Sequence, residues 1–318
     1  MAKTSGTTTV AVAARQLALS NLSKILYPET GTTKGEVIDY YSRIAPVLIP
    51  HLAGRPLSLK RYPEGVNGQG FFAKNVPNGA ADWVRTERLP APGSTKNRDE
   101  IDYVVLPPDE GDALATLVWL ANLAALELHV PQWQVGPRGG ARGTDLLVFD
   151  LDPGAPATVV ECCAVALRLR EVLDDDGLVA VAKTSGSKGM QVYAAIKPAA
   201  TLSKDAGRTS DYAKAVAQQL EHEDPAHVTS VMRKASRPGK VFIDWSQNNT
   251  AKTTVAPYSL RARPAPTVST PLHWDEVAAC RRPEELVFTF DAVLARVAEE
   301  GDLFAGLHAR ERPALPRR

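Results

Sequence analysis

The sequence predicts an α/β (α+β) protein in which helices flank a mixed central sheet. Short apolar runs with strand-like alternation recur along the chain, and stretches of helical periodicity separate them. In a chain of 318 residues, 44% hydrophobic residues supply enough apolar surface for a large core, while 23% charged residues are ordinary for a globular surface. These observations favour one substantial α/β fold over a repeat or a disordered chain.

The elements follow in order along the chain. Thr33 is expected to cap the first helix, with Glu36 near its start. Helices are predicted over residues 34–49, from Asp112 through the apolar stretch 113–128, over 158–173 and over 204–220. Strands are predicted over residues 57–62, at Phe71-Phe72, and over 146–151, 178–183, 191–196 and 240–244, with 178–183 and 191–196 paired across a Gly-containing turn.

The domain organisation is expected to be simple. Residues 15–309 are predicted to form one compact domain with two lobes, since no Gly/Ser linker, Pro-rich linker or internal repeat interrupts them. Residues 1–14 are expected to be a disordered leader, and the Pro- and Arg-rich residues 310–318 a flexible tail. The stretches 90–97 and 136–143 are interpreted as surface loops.

Cysteine use and hydropathy exclude two classes of protein. Cys162 and Cys163 are adjacent and Cys280 is far along the chain, which does not suit a disulfide framework or a zinc cluster. The apolar stretch 113–128 contains polar residues, so a buried helix is favoured over a membrane span. No N-terminal signal is recognised, and a cytoplasmic protein is expected.

The net charge of +1 conceals three blocks of opposite sign. Residues 1–75 carry 9 Lys and Arg against 4 Asp and Glu, and residues 183–263 carry 13 against 6. Residues 99–177 between them carry 4 against 15. This alternation suits a protein that binds phosphates through its basic segments and cations through its acidic one.

Three aspartates are the clearest chemical signal. Asp150 and Asp152 lie two residues apart in a predicted strand, so both carboxylates project from one face. Asp244 ends another apolar strand. Neighbouring carboxylates repel unless a cation neutralises them, and hard oxygen ligands suit Mg²⁺ or Mn²⁺. The alternative is that each simply closes or caps a strand.

A Gly/Ser loop follows the aspartate pair. Residues 183–189 read Lys-Thr-Ser-Gly-Ser-Lys-Gly between two predicted strands. Glycine allows close backbone approach, hydroxyls and amides donate to phosphate oxygens, and Lys188 adds a point charge. The order of Gly and Lys is not that of a Walker A loop. An ordinary hairpin turn is the alternative interpretation.

Taken together, these segments resemble the polymerase domain of bacterial DNA ligase D, here of a stand-alone mycobacterial type, within the archaeo-eukaryotic primase (primase-polymerase) superfamily. The resemblance implies a two-lobed primase-like catalytic core. The order of the matching stretches carries it: residues 19–28, 55–63, 70–75, 121–129, 148–153, 184–189, 241–248 and 252–261.

The resemblance also implies roles for individual residues. The catalytic and metal-binding set would be Asp150, Asp152 and Asp244, holding two Mn²⁺ or Mg²⁺ ions per active site. The nucleotide-binding set would be His129, Ser185, Ser187, Lys188, Gln191, Arg237, Gln247 and Arg261. The DNA-binding set would be Asn21, Lys24 and Lys34 at a 5′-phosphate, with Lys60, Arg61, Phe71 and Phe72 on the template side.

Several of these residues also have ordinary structural interpretations. Phe71 and Phe72 could be core residues, the early lysines solvated charges, and His129 a structural histidine beside apolar residues. The sequence departs from the family at one position. The family motif is Ser-Gly-x-Lys-Gly-x-His, and in this chain Gly189 is followed by Met190 and Gln191, so Gln191 stands at the histidine position. Glutamine can bond a phosphate or sugar oxygen but carries no charge.

The expected function is template-dependent addition of NTPs or dNTPs, ribonucleotides included, to primer 3′ ends in gapped or broken DNA. The sequence contains no Lys-x-Asp-Gly ligase motif, so a separate DNA ligase is an expected partner, with a Ku-type end-binding protein as another. Two alternatives remain. One is a non-catalytic module that bridges DNA ends. The other is a phosphohydrolase, because residues Phe149-Asp-Leu-Asp152 superficially resemble the nucleophile loop of the haloacid-dehalogenase class.

Overall fold

The chain divides into two compact units, each of which contains separate segments of the sequence. The computed structural model describes residues 6–91, 99–107, 109–202 and 207–318. The first unit contains residues up to Val130 together with Tyr258–Val268 and Thr289–Gly301. The second contains Pro131–Pro257, Ser269–Phe288 and Asp302–Arg318.

The first unit combines helices with short antiparallel strand pairs. Its helices, numbered in chain order with those of the second unit, are α1 (Lys34–Leu52), α2 (Glu110–Asn122) and α6 (Phe290–Glu300). Its strands are β1 (Thr7–Val12), β2 (Arg15–Ser20), β3 (Ile25–Tyr27), β4 (Thr32–Thr33), β5 (Ser58–Arg61), β6 (Phe71–Ala73), β7 (Thr86–Pro90), β8 (Glu100–Val104) and β9 (Ala125–Val130). Strand β5 pairs antiparallel with β6 on one side and β9 on the other.

The second unit is built around a larger sheet. Its helices are α3 (Val159–Asp175), α4 (Arg208–Glu223) and α5 (Trp274–Ala279). Its strands are β10 (Trp133–Val135), β11 (Ala141–Thr144), β12 (Leu146–Pro153), β13 (Ala180–Thr184), β14 (Met190–Ala195), β15 (Val228–Thr229), β16 (Val241–Asp244), β17 (Thr254–Val255) and β18 (Pro271–Leu272).

The main sheet of the second unit has the strand order β15-β16-β12-β14-β13-β18 over the described residues. Strand β15 runs parallel to β16, whereas β12 pairs antiparallel with both β14 and β16. A mixed sheet with flanking helices is therefore present, and the predicted α/β (α+β) class is confirmed. The predicted pairing of residues 178–183 with 191–196 is also confirmed, as β13 with β14.

Alternation along β12 fixes which face carries the carboxylates. Leu147, Phe149 and Leu151 are fully buried in the core that α3 and α4 form over one face of the sheet. Burying such side chains contributes about 1.5–3 kcal/mol each, so this register is strongly preferred. Because successive side chains in a strand point to opposite faces, Asp150 and Asp152 lie on the other face.

The helix starts follow local hydrogen-bonding rules. Thr33 caps α1 and forms a capping box with Glu36, as the sequence predicts. Thr158 and Glu161 do the same at α3. Each box satisfies backbone N–H groups that have no partner within the helix.

The helix predicted through residues 113–128 is wrong in its second half. Helix α2 ends at Asn122, and β9 begins at Ala125. Ala124 between them has a positive φ of 55°, which reverses the chain. An apolar run buried on both faces of a strand lacks alternation, so composition alone did not separate the strand from the helix.

Both expected flexible ends contain ordered structure. Residues 7–12 of the expected disordered leader form strand β1, which pairs along its whole length with β2; residues 1–5 lie outside the described part of the chain. In the expected tail, Leu315 is buried and Arg318 donates to Asp176 at 2.6 Å. The polar composition of the two terminal segments did not indicate the contacts that they make with other parts of the same chain.

Two further predictions fall partly outside the described residues. Residues 204–206 of the predicted helix 204–220 lie outside the described residues, and the described part of this prediction corresponds to α4. Most of the predicted loop 90–97 lies there too. The three cysteines are free and buried. Among the described helices, none has both the length and the apolar character that crossing a membrane requires.

Candidate active site

Three carboxylates cluster on one face of the main sheet in the second unit. Asp150 on β12 lies directly opposite Asp244 on β16 in the antiparallel register. Asp152 lies two residues further along β12, on the same face. The sequence placed all three at strand ends, and the topology makes those strands neighbours.

Hydrogen bonds orient two of these carboxylates. Gln191 on β14 is the other cross-strand neighbour of Asp150 and donates from Nε2 to its Oδ1 at 3.0 Å. Ser246 donates to Asp244 Oδ1 from its backbone N–H at 3.0 Å and from its hydroxyl at 2.5 Å. Gln247 donates to the other oxygen of Asp244 at 2.8 Å. The short 3₁₀ turn after β16 therefore holds Asp244 in place.

The electrostatics of the cluster favour a bound cation. Burial and the charges of Asp152 and Asp244 together raise the pKa of Asp150 to about 7, against the opposing effects of Gln191 and Lys183. Burial and the charge of Asp244 also raise the pKa of Asp152. Carboxylates that are hard to ionise together become fully ionised when a divalent cation compensates them. This donor set of hard oxygens fits Mg²⁺ or Mn²⁺.

The predicted phosphate loop connects β13 and β14 beside β12. The hydroxyl oxygen of Ser185 accepts hydrogen bonds from the backbone N–H groups of Ser187 and Gly189, both at 3.2 Å. Ser187 and Lys188 are exposed at the tip of the loop. Gly186 adopts a positive φ of 65°. The loop is thus a compact turn that presents a hydroxyl and an ammonium group to solvent.

Glycine is required where two loops approach β12. A β-carbon at position 189 would lie 2.0 Å from the carbonyl oxygen of Leu151. Just after the same end of the strand, a β-carbon at position 154 would lie 2.0 Å from the carbonyl oxygen of Arg237. No side chain other than hydrogen fits at either position without moving the backbone.

Arg237 lies on the loop that approaches the end of β12. Its guanidinium stacks over the ring of Phe242, with 3.7 Å from Cζ to the ring centroid, and donates to the carbonyl oxygen of Met232 at 2.7 Å. Its charge opposes the rise in the pKa of Asp152. Arg237 is therefore electrostatically coupled to the carboxylate cluster.

A second group of predicted site residues lies in the first unit, around the buried Glu127. Its carboxylate contacts His129 Nε2 at 2.9 Å, Lys60 Nζ at 3.8 Å and Arg261 Nε at 3.5 Å. It also accepts from the backbone N–H of Ala262 at 3.1 Å. One carboxylate therefore organises two permanent cations and a histidine.

The charges around Glu127 alter its titration. Burial alone would raise the pKa of Glu127, but the hydrogen bond with His129 and the charge of Arg261 outweigh it and hold the pKa at about 2. Burial lowers the pKa of His129, against the effect of Glu127. The cluster has an excess of positive charge, which suits an anionic ligand.

Phe71 and Phe72 are exposed on strand β6, with 45% and 58% of their surface accessible. They are therefore not core residues. The Phe72 ring contacts the His129 ring edge-on at 5.5 Å, and the guanidinium of Arg61 lies 5.3 Å from the Phe71 ring. Exposed aromatic rings among cations are the usual elements of a surface that stacks nucleic-acid bases.

Asn21, Lys24 and Lys34 also lie together in the first unit. The backbone N–H of Lys34 donates to the carbonyl of Lys24 at 2.8 Å, and that of Lys24 to the carbonyl of Asn21 at 2.9 Å. Burial and the nearby charge of Lys24 lower the pKa of Lys34 to about 8. Lys24 Nζ also pairs with Glu64 Oε2 at 2.9 Å. Because a nearby cation disfavours the charge of Lys34, an anion at Lys34 is expected to be stabilising.

The candidate residues thus form groups within each unit. The second unit holds the three aspartates, the phosphate loop, Gln191, Arg237 and Gln247; the first holds the Glu127 cluster, the aromatic pair and the lysine group. Sequence reasoning did not single out Glu127, Ser246 or Lys183. Glu127 carried a usable signal, because it shares a strand face with His129 two residues later.

Comparison with known proteins identifies relatives over most of the chain. The family described as "LigD, primase-polymerase domain" matches residues 33–304. The multifunctional non-homologous end joining protein LigD of Mycolicibacterium smegmatis is 45% identical over 92% of this chain and 36% of its own length. The bifunctional LigD of Bacillus subtilis is 30% identical over 90% of this chain and 43% of its own length.

A solved structure is similar over the same extent. The polymerase domain from Mycobacterium tuberculosis ligase D in complex with DNA matches with a TM-score of 0.81 and 41% identity, covering 92% of this chain and 97% of that one. The fold and these relatives define the class as nucleotidyltransferases of the primase-polymerase type. Within that class, the chain belongs to the LigD primase-polymerase domain family.

Proposed function

We propose that this chain is a template-dependent repair polymerase that adds nucleotides to primer 3′ ends in short gaps or at breaks. The observation that carries the proposal is the cross-strand pairing of Asp150 with Asp244, with Asp152 on the same face. Three clustered carboxylates suit two-metal nucleotidyl transfer better than the single nucleophile of a phosphohydrolase. Membership of a primase-polymerase family supports the same choice.

In this proposal Asp150, Asp152 and Asp244 hold two divalent ions, Mn²⁺ or Mg²⁺. When bound, these ions supply positive charge to the attacking 3′-hydroxyl and the triphosphate. The protein's contribution is to fix the carboxylates: Ser246 and Gln247 hold Asp244 through three hydrogen bonds. Prearranged ligands need no reorganisation when the substrate binds.

The remaining residues of the second unit bind the nucleotide. Ser185, Ser187 and Lys188 donate to phosphate oxygens, with Lys188 neutralising charge on the leaving pyrophosphate. Arg237 adds positive charge near Asp152, to which it is already coupled. Gln247 is proposed to contact the nucleotide in addition to donating a hydrogen bond to Asp244. Gln191 is proposed to affect nucleotide binding only through its hydrogen bond to Asp150.

The candidate residues of the first unit are proposed to bind nucleotide and DNA. His129 and Arg261 would contact a nucleotide, and Lys60 and Arg61 the template strand, on which Phe71 and Phe72 stack. Asn21, Lys24 and Lys34 would hold the 5′-phosphate on the far side of a gap. The excess positive charge around Glu127 and the lowered pKa of Lys34 both support binding of anions here.

The repair context follows from the relatives' names. The chain spans 36% of the mycobacterial relative, a non-homologous end joining protein. We therefore propose a role in that pathway, with a DNA ligase sealing the product and a Ku-type protein binding the ends. Ready use of ribonucleotides and support of activity by Mn²⁺ are parts of the same proposal.

The test is primer extension on gapped DNA, with and without a downstream 5′-phosphate, using rNTPs or dNTPs with Mn²⁺ or Mg²⁺. Asp150→Asn is expected to reduce extension to that of an enzyme-free control while keeping the fold. Asp175→Asn, an exposed aspartate at the end of α3, is the matched control and should extend like wild type. Extension by Asp150→Asn at the wild-type rate would refute the proposal and favour a role in bridging DNA ends.

A further inference from the structure

Gln191 links a buried lysine to the carboxylate cluster. It lies on β14, opposite Asp150 on β12 and opposite Lys183 on β13. Cross-strand neighbours share a face, so the three side chains form a row across the sheet. Lys183 Nζ donates to Gln191 Oε1 at 2.6 Å, and Gln191 Nε2 donates to Asp150 Oδ1 at 3.0 Å.

The lysine end of this row is fully enclosed. Lys183 is 0% exposed and Gln191 4% exposed. The Lys183 ammonium also donates to Ser269 Oγ at 2.6 Å, and it lies 5.6 Å from the centre of the Tyr193 ring. Tyr193 in turn donates to Gln191 Oε1 at 3.3 Å. Burying an ammonium group costs free energy unless oxygen acceptors surround it. The acceptors from Gln191 and Ser269 therefore offset the cost of burying Lys183.

The amide of Gln191 has the polarity that the row requires. Its carbonyl oxygen faces the cation and its NH₂ group faces the carboxylate, so the amide dipole is aligned between the two charges. A carboxylate or an ammonium group at this position would repel one neighbour. Without the amide, Lys183 could close on Asp150 as a direct ion pair, which would compete with any metal for that carboxylate.

We infer that Gln191 is a positioning residue, an uncharged spacer that transmits the charge of Lys183 to Asp150 while preventing a direct ion pair between them. The inference rests on the proposed role of Asp150 as a metal ligand. Gln191 acts on the nucleotide only through Asp150, and the loop residues contact phosphate themselves.

The spacer predicts a specific coupling between two substitutions. Gln191→Ala removes the amide and frees Lys183 to pair with Asp150, so the affinity for Mn²⁺ is expected to fall about tenfold or more. Lys183→Met removes the charge that favours the ionised form of Asp150, so it is expected to lower Mn²⁺ affinity as well, but less, about threefold. The double variant is expected to bind Mn²⁺ more tightly than Gln191→Ala alone, because no ammonium remains to occupy the carboxylate.

The experiment measures Mn²⁺ binding to the nucleotide-free protein by calorimetry, for wild type, the two single variants, the double variant and Asp150→Asn. Gln218→Ala, an exposed glutamine on α4, is the matched control. Thermal melting checks folding, and Gln191→Met, which keeps the side-chain volume, replaces Gln191→Ala if that variant does not fold. Steady-state kinetics should show a lower kcat at fixed Mn²⁺ with a KM for nucleotide within about twofold of wild type.

The outcomes separate the spacer from the metal site. Loss of Mn²⁺ binding in Asp150→Asn, with unchanged binding in the Gln191 variant, would overturn the spacer alone. A double variant that binds more weakly than either single variant would do the same, since it removes the predicted coupling. Unchanged binding in Asp150→Asn would overturn the proposed metal site, and the spacer with it.

Discussion

Asp150 and Asp244 face each other across neighbouring antiparallel strands, so two carboxylates occupy positions where like charges destabilise a sheet. Natural sheets avoid this pairing unless something compensates it. The hydrogen bonds from Gln191 and Ser246 reduce the repulsion but leave the pKa of Asp150 at about 7. The pair therefore costs stability until a cation binds, and this cost can be measured.

Replacement of Asp150 by Asn should stabilise the metal-free protein at pH 8. The folded-state pKa of about 7 is raised above the ordinary value of 3.8 for an aspartate, so the stability that the protonated form contributes is present at low pH and is lost as pH rises through about 7. Melting temperatures with and without MnCl₂ test this. Wild type should gain several degrees from Mn²⁺, and Asp150→Asn should start higher and gain little. A variant that melts below wild type without metal at pH 8 would contradict the expectation.

Metal binding should depend on pH for the same reason. Below about pH 7 the metal must displace a proton from Asp150, which burial and Asp152 disfavour as an anion. The dissociation constant for Mn²⁺ is expected to rise about tenfold for each pH unit below 7 and to level off above 8. Calorimetry in buffers of different ionisation enthalpy would count the released protons. A flat profile between pH 5.5 and 8 would show that Asp150 is already ionised.

Substitution of Lys34 by Met should weaken binding to gaps that carry a 5′-phosphate by about tenfold and leave binding to unphosphorylated gaps unchanged. The pKa of Lys34, lowered to about 8 by burial and by Lys24, makes the wild-type preference for phosphate decline as pH rises through about 8. Fluorescence anisotropy with both DNA forms at pH 7 and 9 measures this. Lys214→Met, on α4 in the second unit, is the control. Equal loss on both DNA forms would indicate a general electrostatic role instead.

Substitution of Phe72 by Ala should reduce affinity for gapped DNA about tenfold, the effect of losing one stacked base. Because 58% of the Phe72 surface is exposed, the free energy of unfolding should hardly change. Val179→Ala, at a residue 76% exposed in the second unit, provides a matched truncation. If Phe72→Ala melts well below wild type while DNA affinity is retained, the ring is structural.

Glu127→Gln should destabilise the protein by about 3 kcal/mol at pH 7, because it leaves cations without their buried counter-charge. With a pKa of about 2 against the ordinary value of 4.5 for a glutamate, Glu127 contributes stability above pH 4.5 that is lost as pH falls through about 2. Urea unfolding should therefore show a smaller difference from wild type at pH 4 than at pH 7. A difference that does not change with pH would mean that packing, and not charge, explains the loss.

The shared face of Asp150 and Asp152 could be predicted from the sequence, because side chains two residues apart in a strand point the same way. Their pairing with Asp244 depended on topology, since nothing local requires β16 to lie next to β12. Lys183 begins the predicted phosphate loop in the sequence, yet its side chain is fully buried and is therefore not available to bind a phosphate. Such a residue becomes visible only when its cross-strand neighbours are known.

The remaining errors have physical causes as well. The strand Ala125–Val130 is buried at every position, so it lacks the alternation by which strands are recognised. Strand β1 consists of Thr, Val and Ala, and it is ordered by its pairing with β2. At the other end, Arg318 is held by Asp176, a contact between residues 142 positions apart in sequence. Long-range pairing cannot be deduced from either partner alone.

Gly189 and Gly154, which lie near the C-terminal end of β12, have a consequence for the choice of nucleotide in the proposed function. Because Gly189 and Gly154 bring the backbones of two loops into direct contact with this strand, the loops and the aspartates form one stiff assembly without an intervening layer of side chains. The span between the phosphate loop and the carboxylates is then set by main-chain geometry. If the loop and the carboxylates hold the two ends of one triphosphate, as proposed, we expect discrimination against nucleoside monophosphates to survive substitution of any single loop side chain.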